Sequence, residues 1–336
     1  MCRGRFSLST IVPFQTFIAP DVFDLSISWS MSRSMFKLAH ISDVHLGPLP
    51  RLSIQELFSK RITGFVNWHR NRRKHLFGST LDLLLDDIRA HQADHLAVTG
   101  DLVNLASGIE IRAAAAWLRE LGDPADTSVV PGNHDAYVPG AYEKSMRAWY
   151  DYVRGDLSPP QWQEDRHIFP YLRIRDKVAI VGCSTAVATP PFAASGFFGA
   201  RQARDTVNML RAAGEAGLFR VVMIHHPPIR GATTFYKRMI GIRRFAAVIS
   251  TGGAELVLHG HTHLNTLHWL RGQVQPVPVV GIASASQGPG SIKPPAAYNL
   301  FSIDGSPGAW ELSGERFSIN RSGDAVMRES ADIFVR

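Results

Sequence analysis

The sequence lacks the features that would place it in several large classes of protein. Cysteine occurs only at Cys2 and Cys183, which excludes a disulfide framework and a thiolate metal site of the zinc-finger type. No run of about 18 apolar residues occurs, so no transmembrane helix is expected. There is also no internal repeat and no low-complexity tract. Any metal must therefore be bound by His, Asp and Asn, and a reducing cytoplasm is the expected compartment.

The composition is that of a folded protein with a basic balance. Of the 336 residues, 45% are hydrophobic and 19% are charged, which is typical of a globular domain with a substantial core. The 36 Lys and Arg residues outnumber the 29 Asp and Glu residues, giving a formal charge of +7. Such a balance favours anionic partners, including phosphates, nucleotides, nucleic acid and acidic lipid surfaces.

Strand-like and helix-like segments alternate from Phe36 onward, and the last part of the chain consists of strands. This order predicts a layered α/β protein with mixed sheets. The simplest division is a poorly ordered extension at residues 1–34, one catalytic domain at residues 35–315 and a polar tail at residues 316–336. Strands are predicted at residues 36–42, 95–99, 127–130, 177–182, 220–224, 255–258, 266–270, 277–282, 297–303 and 310–313. Helices are predicted at residues 79–88, 109–121, 141–153, 200–213 and 245–250.

Polar motifs follow the predicted strands directly. In open α/β sheets, ligands bind beyond the carboxyl ends of the strands, which makes these positions candidates for one site. The motifs are Asp43-Val44-His45, Gly100-Asp101, Gly132-Asn133-His134-Asp135, His225-His226-Pro227-Pro228 and Gly260-His261-Thr262-His263.

These residue types suit the hydrolysis of phosphate esters, which is among the slowest of biological reactions in water. Two divalent cations about 3.5–4 Å apart can bind the phosphoryl oxygens and lower the pKa of a bridging water, so that a hydroxide attacks in line. A carboxylate between the cations can bind both of them. Neutral imidazoles and an amide oxygen can fill the remaining positions without adding excess negative charge.

The complete series D-x-H, G-D, G-N-H-D, H-x-P and G-H-x-H, running from Asp43 to His263, resembles that of the calcineurin-like metallophosphoesterases. The resemblance implies a four-layer α/β/β/α sandwich with two mixed sheets and the metals at one edge. It also implies two divalent or trivalent metal ions as cofactors, with Mn, Fe and Zn as the candidates.

The resemblance further implies a role for each matched residue. The first metal would be bound by Asp43, His45, Asp101 and His263, and the second by Asp101, Asn133, His225 and His261. Asp101 would thus bridge the two metals. His134 would be the general acid for the leaving oxygen, and Asp135 would orient it. His226 is expected to lie behind the ligands or to contact substrate. Cys183 and six further histidines are expected to be structural or solvent-facing: His40, His91, His95, His167, His259 and His268.

A basic insertion at residues 51–78 separates the first two motifs. It contains apolar residues at helical spacing and six cations between residues 60 and 74, and no acidic residue occurs from residue 57 to residue 81. One hypothesis is an amphipathic element on an anionic membrane surface. The other is a helical cap that packs on the domain and attracts a phosphorylated substrate. Nucleic-acid binding is disfavoured, because Phe58 and Phe65 have the spacing of core-facing residues rather than of a stacking platform.

Within the family, Gly100-Asp101-Leu102 and the Pro131–Asp135 and His225–Pro228 motifs look most like the bacterial class III cyclic-nucleotide and glycerophosphodiester phosphodiesterase branch. The sequence therefore predicts a phosphodiesterase whose partner is a cyclic nucleotide or a similar small diester. One alternative is a hydrolase of a lipid-linked phosphate or pyrophosphate, peripheral at the inner membrane surface. The other is a scaffold without turnover, which retention of all seven ligands and His134 disfavours.

Overall fold

A computed structural model of the chain describes residues 35–49, 60–62, 65, 78–158, 160–163, 167–329 and 334–335. The expected extension at residues 1–34 and most of the basic insertion at residues 51–78 lie outside the described residues. Among the helices that are described, none combines the length and the apolar character needed to cross a bilayer.

The first sheet has seven strands, in the order β14-β13-β12-β1-β2-β3, with β15 also paired to β13. The strands are β1 (Met35–Ile41), β2 (His95–Val98), β3 (Thr127–Val129), β12 (Ala297–Ser306), β13 (Ala309–Ile319), β14 (Val326–Arg328) and β15 (Phe334–Val335). Strands β1, β2 and β3 run parallel, whereas β12 is antiparallel to β1. The sheet is therefore mixed, as predicted.

The second sheet has six strands, in the order β10-β11-β9-β7-β5-β4. The strands are β4 (Tyr171–Arg175), β5 (Val178–Gly182), β7 (Phe219–Met223), β9 (Leu256–His259), β10 (Thr266–Leu270) and β11 (Val277–Gly281). The inner four run parallel and the two edge strands are antiparallel. A separate pair is formed by β6 (Gly196–Phe197) and β8 (Met239–Ile240). The sequence patterns did not predict β4, β6 or β8.

Within the described ranges, six α-helices have both ends placed: α1 (Gly78–Ala90), α2 (Gly108–Leu121), α3 (Ala141–Ala148), α4 (Tyr150–Val153), α5 (Ala200–Glu215) and α6 (Ile242–Gly252). Helix α2 begins with a capping box, in which Ser107 and Glu110 each accept from the other's backbone N–H, satisfying two donors that a helix start leaves unpaired. The helix predicted at residues 141–153 is divided at Trp149, whose indole N–H donates to the Ile111 carbonyl over 3.1 Å.

The two sheets pack face to face, because successive residues of each strand point to opposite faces. Ile180 and Val221 of the second sheet belong to the same buried cluster as Leu38 of the first sheet. Their neighbours Val181 and Val222 point the other way, into a cluster that includes residues of α5 and α6. Helix α1 packs on the outer side of the first sheet, against β13 and β14. The order helix, sheet, sheet, helix confirms the predicted α/β/β/α arrangement.

The domain boundary expected at residue 315 falls inside a strand and is too early. Strand β13 continues to Ile319, and β14 pairs with its last residues. Polar residues alternate with buried ones here, so a strand with one face exposed resembles a polar tail in sequence. The ring of Phe317 is stacked on that of Tyr298, with 4.9 Å between centroids. Residues 316–329 therefore belong to the first sheet.

Replacing Phe317 by alanine tests this assignment. The side chain is 7% exposed, and removing a buried aromatic ring costs about 3–5 kcal/mol. We expect Phe317→Ala to lower the free energy of unfolding by that order in denaturant titrations. Met327→Ala is the matched control, because Met327 is 58% exposed in the neighbouring strand, and exposed sites usually change stability by less than about 0.5 kcal/mol. Equal effects of the two variants would contradict the assignment.

Candidate dinuclear metal centre

The seven expected metal ligands lie where parallel strands of both sheets end. Asp43 follows β1, Asp101 follows β2 and Asn133 follows β3 in the first sheet. His225 follows β7, and the pair His261 and His263 follows β9 in the second sheet. Because the sheets pack face to face with these edges aligned, the loops converge. Groups of His and Asp ligand atoms lie within 4.8 Å of one another there.

Glycines in the motifs permit this close convergence. A Cβ on Gly100 would lie 2.6 Å from the Gly132 nitrogen and 2.8 Å from Nδ1 of His225, and the residue has a φ of +93°. A Cβ on Gly132 would collide with the Asp101 carboxylate, and one on Gly260 with the Ser42 hydroxyl. The glycines therefore make room for the ligands and carry no ligand themselves.

Five of the seven candidate ligands have a backbone in the left-handed region, which non-glycine residues rarely adopt. Their φ angles are 53° at Asp43, 45° at His45, 56° at Asp101, 70° at His261 and 53° at His263. Each such residue costs about 1–3 kcal/mol and persists only where its surroundings over-determine it. Backbone bonds from the Asp43 nitrogen to the Gly100 carbonyl and from His45 to Asp101, both 2.9 Å, supply that constraint.

The first group of ligand atoms is formed by Asp43, His45 and His263. Nε2 of His263 lies 3.1 Å from Oδ1 of Asp43 and 3.4 Å from Nε2 of His45. On its other side, Nδ1 of His45 donates to the Val103 carbonyl over 3.2 Å. That bond places the ring proton on Nδ1, so the Nε2 lone pair faces the group, as metal ligation requires.

The second group contains Asp101, Asn133 and His225, and His261 lies beside it, with ligand atoms of His225, His226 and His261 within 4.8 Å of one another. Nε2 of His225 lies 3.4 Å from Oδ2 of Asp101 and 3.3 Å from Oδ1 of Asn133. Its Nδ1 donates to the Thr99 carbonyl over 2.7 Å. Nε2 of His261 donates to the Lys237 carbonyl over 2.9 Å, which leaves Nδ1 as the free lone pair. Each imidazole therefore presents one nitrogen to the group.

Asp101 lies between the two groups, as expected for a bridging ligand. Its Oδ2 lies 3.9 Å from Nε2 of His45, in the first group, and 3.4 Å from Nε2 of His225, in the second. Its Oδ1 accepts from the backbone N–H of His134 over 2.7 Å. One carboxylate thus faces both groups and also binds the next motif.

The electrostatics suit cations. Burial opposes ionisation of Asp43 and Asp101, but the histidines beside them outweigh it and hold the pKa of both carboxyls below the usual value. Burial lowers the pKa of His261 well below its ordinary value, so that ring is neutral. Burial also lowers the pKa of His225, but the adjacent Asp101 carboxylate outweighs burial and raises it to about 9. A proton therefore occupies the ring nitrogen whose lone pair a metal would use.

One further observation indicates that these ligand atoms suit a metal ion. Oδ1 of Asp43 is fully buried and accepts no hydrogen bond from the described residues, although Nε2 of His263 is 3.1 Å away. A buried carboxylate oxygen left in this way is costly unless a cation is its partner. Imidazole nitrogens with carboxylate and amide oxygens are ligands that suit Mn, Fe or Zn.

Asp135 does not orient His134, contrary to the role expected for it. Its buried carboxylate accepts from the backbone N–H groups of Gly132, Asp101, Leu102 and Val103, at 2.8–3.2 Å. The partner of His134 Nδ1 is instead the carbonyl of Asn104. Burial and the charge of Asp101 raise the pKa of Asp135 to about 7, against the backbone donors that lower it. Asp135 thus joins the second and third motifs structurally.

The histidines outside the ligand set behave as structural residues where they are buried. His226 donates from Nε2 to the Ala194 carbonyl over 3.1 Å and accepts at Nδ1 from Thr185 over 2.8 Å. Both of its nitrogens are therefore used, and burial lowers its pKa to about 3. His40, His95 and His259 are also buried. Cys183 is buried as predicted, and burial raises the pKa of its thiol to about 12.

Sequence reasoning missed three residues that flank His134. The ring of Tyr137 is stacked on that of His134 with 5.3 Å between centroids. Nζ of Lys60, from the basic insertion, lies 4.6 Å from the centre of the Tyr137 ring. Asn104 supplies the carbonyl described above. A signal in the sequence existed only for Tyr137, which lies two residues past the third motif. The positions of Lys60 and Asn104 beside this motif depend on which loops meet in the fold.

The bridging position of Asp101 predicts unequal effects of two similar substitutions. We expect Asp101→Asn to lower the affinity for both metal equivalents by more than about tenfold, because loss of even an indirect partner of a ligand costs about 10–100-fold. Asn133→Ala removes a ligand of one group only and should weaken one equivalent. Metal content after dialysis against limiting Mn²⁺ measures both. Two full equivalents in Asp101→Asn, or equal losses in the two variants, would contradict the bridge.

Solved structures similar to this chain include two phosphatases. A dimetal phosphatase from Danio rerio is 12% identical with a TM-score of 0.55, and the match covers 87% of this chain and 98% of that one. A purple acid phosphatase from yellow lupin (Lupinus luteus) seeds is 10% identical with a TM-score of 0.53, covering 89% of this chain and 53% of that one. At these identities the likeness shows the fold alone.

Among curated proteins, none matches the sequence. The family model described as calcineurin-like phosphoesterase matches residues 36–265. That span contains all five motifs, every strand end that contributes a ligand, and both groups of ligand atoms. The chain belongs to the calcineurin-like phosphoesterase family.

Proposed function

We propose that this chain, a metal-dependent phosphoester hydrolase by family, is a phosphodiesterase that acts in the cytoplasm on a cyclic nucleotide or a similar small diester. The observation that carries the proposal is the placement of His134 beside both groups of ligands. Its ring centroid is 4.8 Å from that of His45, and its backbone N–H binds the bridging Asp101. The motif resemblance to the diesterase branch supports the same substrate class.

The residues would divide the work as follows. Asp43, His45 and His263 would hold one metal, Asn133, His225 and His261 the other, and Asp101 both. When bound, the metals supply Lewis-acid stabilisation of the phosphoryl oxygens and a nucleophile at neutral pH. The protein orients the imidazoles through main-chain carbonyls, so that their free nitrogens are presented without rearrangement.

His134 would donate a proton to the leaving oxygen. The Asn104 carbonyl accepts from its Nδ1, which places Nε2 on the other side of the ring, away from that bond. The stacked Tyr137 ring restricts the imidazole to this orientation. A diester with an alkoxide leaving group gains most from such a donor, since an alkoxide is a poor leaving group without protonation.

A lipid-linked phosphate or pyrophosphate is the second candidate substrate, because the cations of the basic insertion would attract its phosphate groups. Lys60 donates to Thr189 Oγ1 over 2.7 Å and to the Ala193 carbonyl over 2.9 Å. Arg61 donates to the carbonyls of Leu105 and Ala106 over 3.0 and 2.8 Å. These contacts support the hypothesis of a cap on the domain, close to His134.

A scaffold without turnover is disfavoured by the intact ligand set.

A panel of substrates tests the proposed class. We expect the Mn²⁺-loaded protein to hydrolyse bis-p-nitrophenyl phosphate and a cyclic nucleotide with kcat/KM at least about tenfold above that for p-nitrophenyl phosphate, because a diesterase site discriminates singly charged diesters from the doubly charged monoester. A preference for the monoester would contradict the diesterase, and preference for a lipid-linked pyrophosphate would favour the second candidate. Absence of turnover with every divalent metal would leave only the scaffold.

His134→Ala tests the proton donor separately from the metals. General acid catalysis contributes about 10²–10⁴-fold, so we expect a loss of that order in kcat with an alkyl leaving group. The loss should be much smaller with p-nitrophenolate, which departs without a proton. Metal content should stay at the wild-type level and serves as the control for folding. An equal loss with both leaving groups would remove His134 from this role.

A further inference from the structure

Bulky apolar side chains are exposed along two segments beside the metal centre. Phe192 is 87% exposed, and the other members are between 49% and 66% exposed. We call this set the apolar rim: Phe192, Phe197, Phe235, Tyr236 and Ile240. Single exposed hydrophobic residues are ordinary, but a contiguous group of this size marks an interaction surface.

The rim is continuous, because its two segments are hydrogen-bonded to each other. The Ala194 nitrogen donates to the Tyr236 carbonyl over 2.9 Å. Strands β6 and β8 pair Phe197 with Ile240, and paired residues of neighbouring strands point to the same face. The rings of Phe235 and Tyr236 lie 5.5 Å apart. The exposed side chains therefore form one surface.

The rim borders the metal centre directly. The Ala194 carbonyl accepts from His226, over 3.1 Å, and the Lys237 carbonyl accepts from His261, over 2.9 Å. A partner seated on the rim would therefore lie next to the opening of the site. The apolar rim belongs to the same end of the sheets as the ligands.

The two chain segments that carry the rim contain cations and no acidic residue. No Asp or Glu occurs in residues 177–204 or 216–254. Four cations lie next to the rim and are exposed: Lys237, Arg238, Arg243 and Arg244. The guanidinium of Arg238 lies 4.2 Å from the centre of the Phe235 ring, so apolar and cationic groups alternate on one surface.

We propose that the apolar rim docks on the surface of an anionic phospholipid bilayer. Aromatic and aliphatic side chains enter the boundary between headgroups and acyl chains, while adjacent Lys and Arg residues bind the headgroups. The negative potential of an anionic leaflet complements two segments that carry exposed cations and no acidic residue. The docking goes beyond the proposed diesterase activity, because it depends on the surface beside the metal centre and not on which substrate is hydrolysed.

Flotation with lipid vesicles tests the docking without any substrate. We expect the full chain to bind vesicles of phosphatidylcholine and phosphatidylglycerol in equal parts, and to release them as salt is raised. The double variant Phe192→Ser/Phe235→Ser should bind at least about tenfold more weakly, because it removes two of the largest inserted side chains. Removal of two cations in Lys237→Gln/Arg238→Gln should weaken binding by a similar factor.

Val274→Ser is the matched control. Val274 is 97% exposed, but it lies between β10 and β11, at the opposite end of the second sheet from the ligands. It should bind vesicles as the wild type does. Retained metal content in the Phe192→Ser/Phe235→Ser variant shows that its fold is intact.

Four outcomes would overturn the docking. The first two are no binding to the mixed vesicles, and binding to pure phosphatidylcholine vesicles that is as strong as binding to the mixed ones. The other two are a loss of binding in Val274→Ser as large as that in the double variants, and wild-type binding by both double variants. Self-association through the rim, seen by sedimentation without vesicles, would replace the bilayer with a second copy of the chain. None of these outcomes alters the substrate panel, so failure of the docking and failure of the diesterase are distinguishable.

Discussion

The carboxylate of Asp101 is the contact on which the rest of the site depends. Its Oδ2 faces His45 and His225, which belong to opposite sheets, and its Oδ1 binds the backbone of His134. The two sheets must therefore pack with their strand ends aligned to within the reach of one side chain. Gly100 and Gly132 are the residues that allow this, since any Cβ there would occupy the space of a ligand.

A buried group of carboxylates and imidazoles opposes folding, so the surrounding backbone has to hold it in place. Main-chain carbonyls accept from the second nitrogen of four rings, those of His45, His134, His225 and His261. The Thr99 carbonyl that orients His225 belongs to a residue whose hydroxyl also accepts from His40. Because backbone atoms do the orienting, the geometry follows from the path of the loops more than from any side chain.

The sequence predicted which residues would meet as candidate ligands, because each lies in a short motif directly after a strand, where spacing alone determines position. It could not predict the partner of Asp135, because the four N–H groups come from two loops that meet only in the fold. The strand predicted at residues 310–313 was ended too early, because the residues that follow alternate between buried ones and polar, partly exposed ones. Likewise, the apolar rim comes from two separate segments, whose pairing through β6 and β8 leaves no periodic signal in the sequence.

The proposed docking surface and the metal centre share backbone atoms. Lys237 stands between Tyr236 and Arg238, and its carbonyl is the acceptor that orients His261. On the other segment, Gly196 packs so closely on His226 that a Cβ there would collide with the ring. A partner that changes the path of either segment would therefore move an acceptor of the site. By linkage, any such effect on metal affinity must be matched by an equal effect of metal on docking, so a partner that moved either segment would act on the site through the main chain.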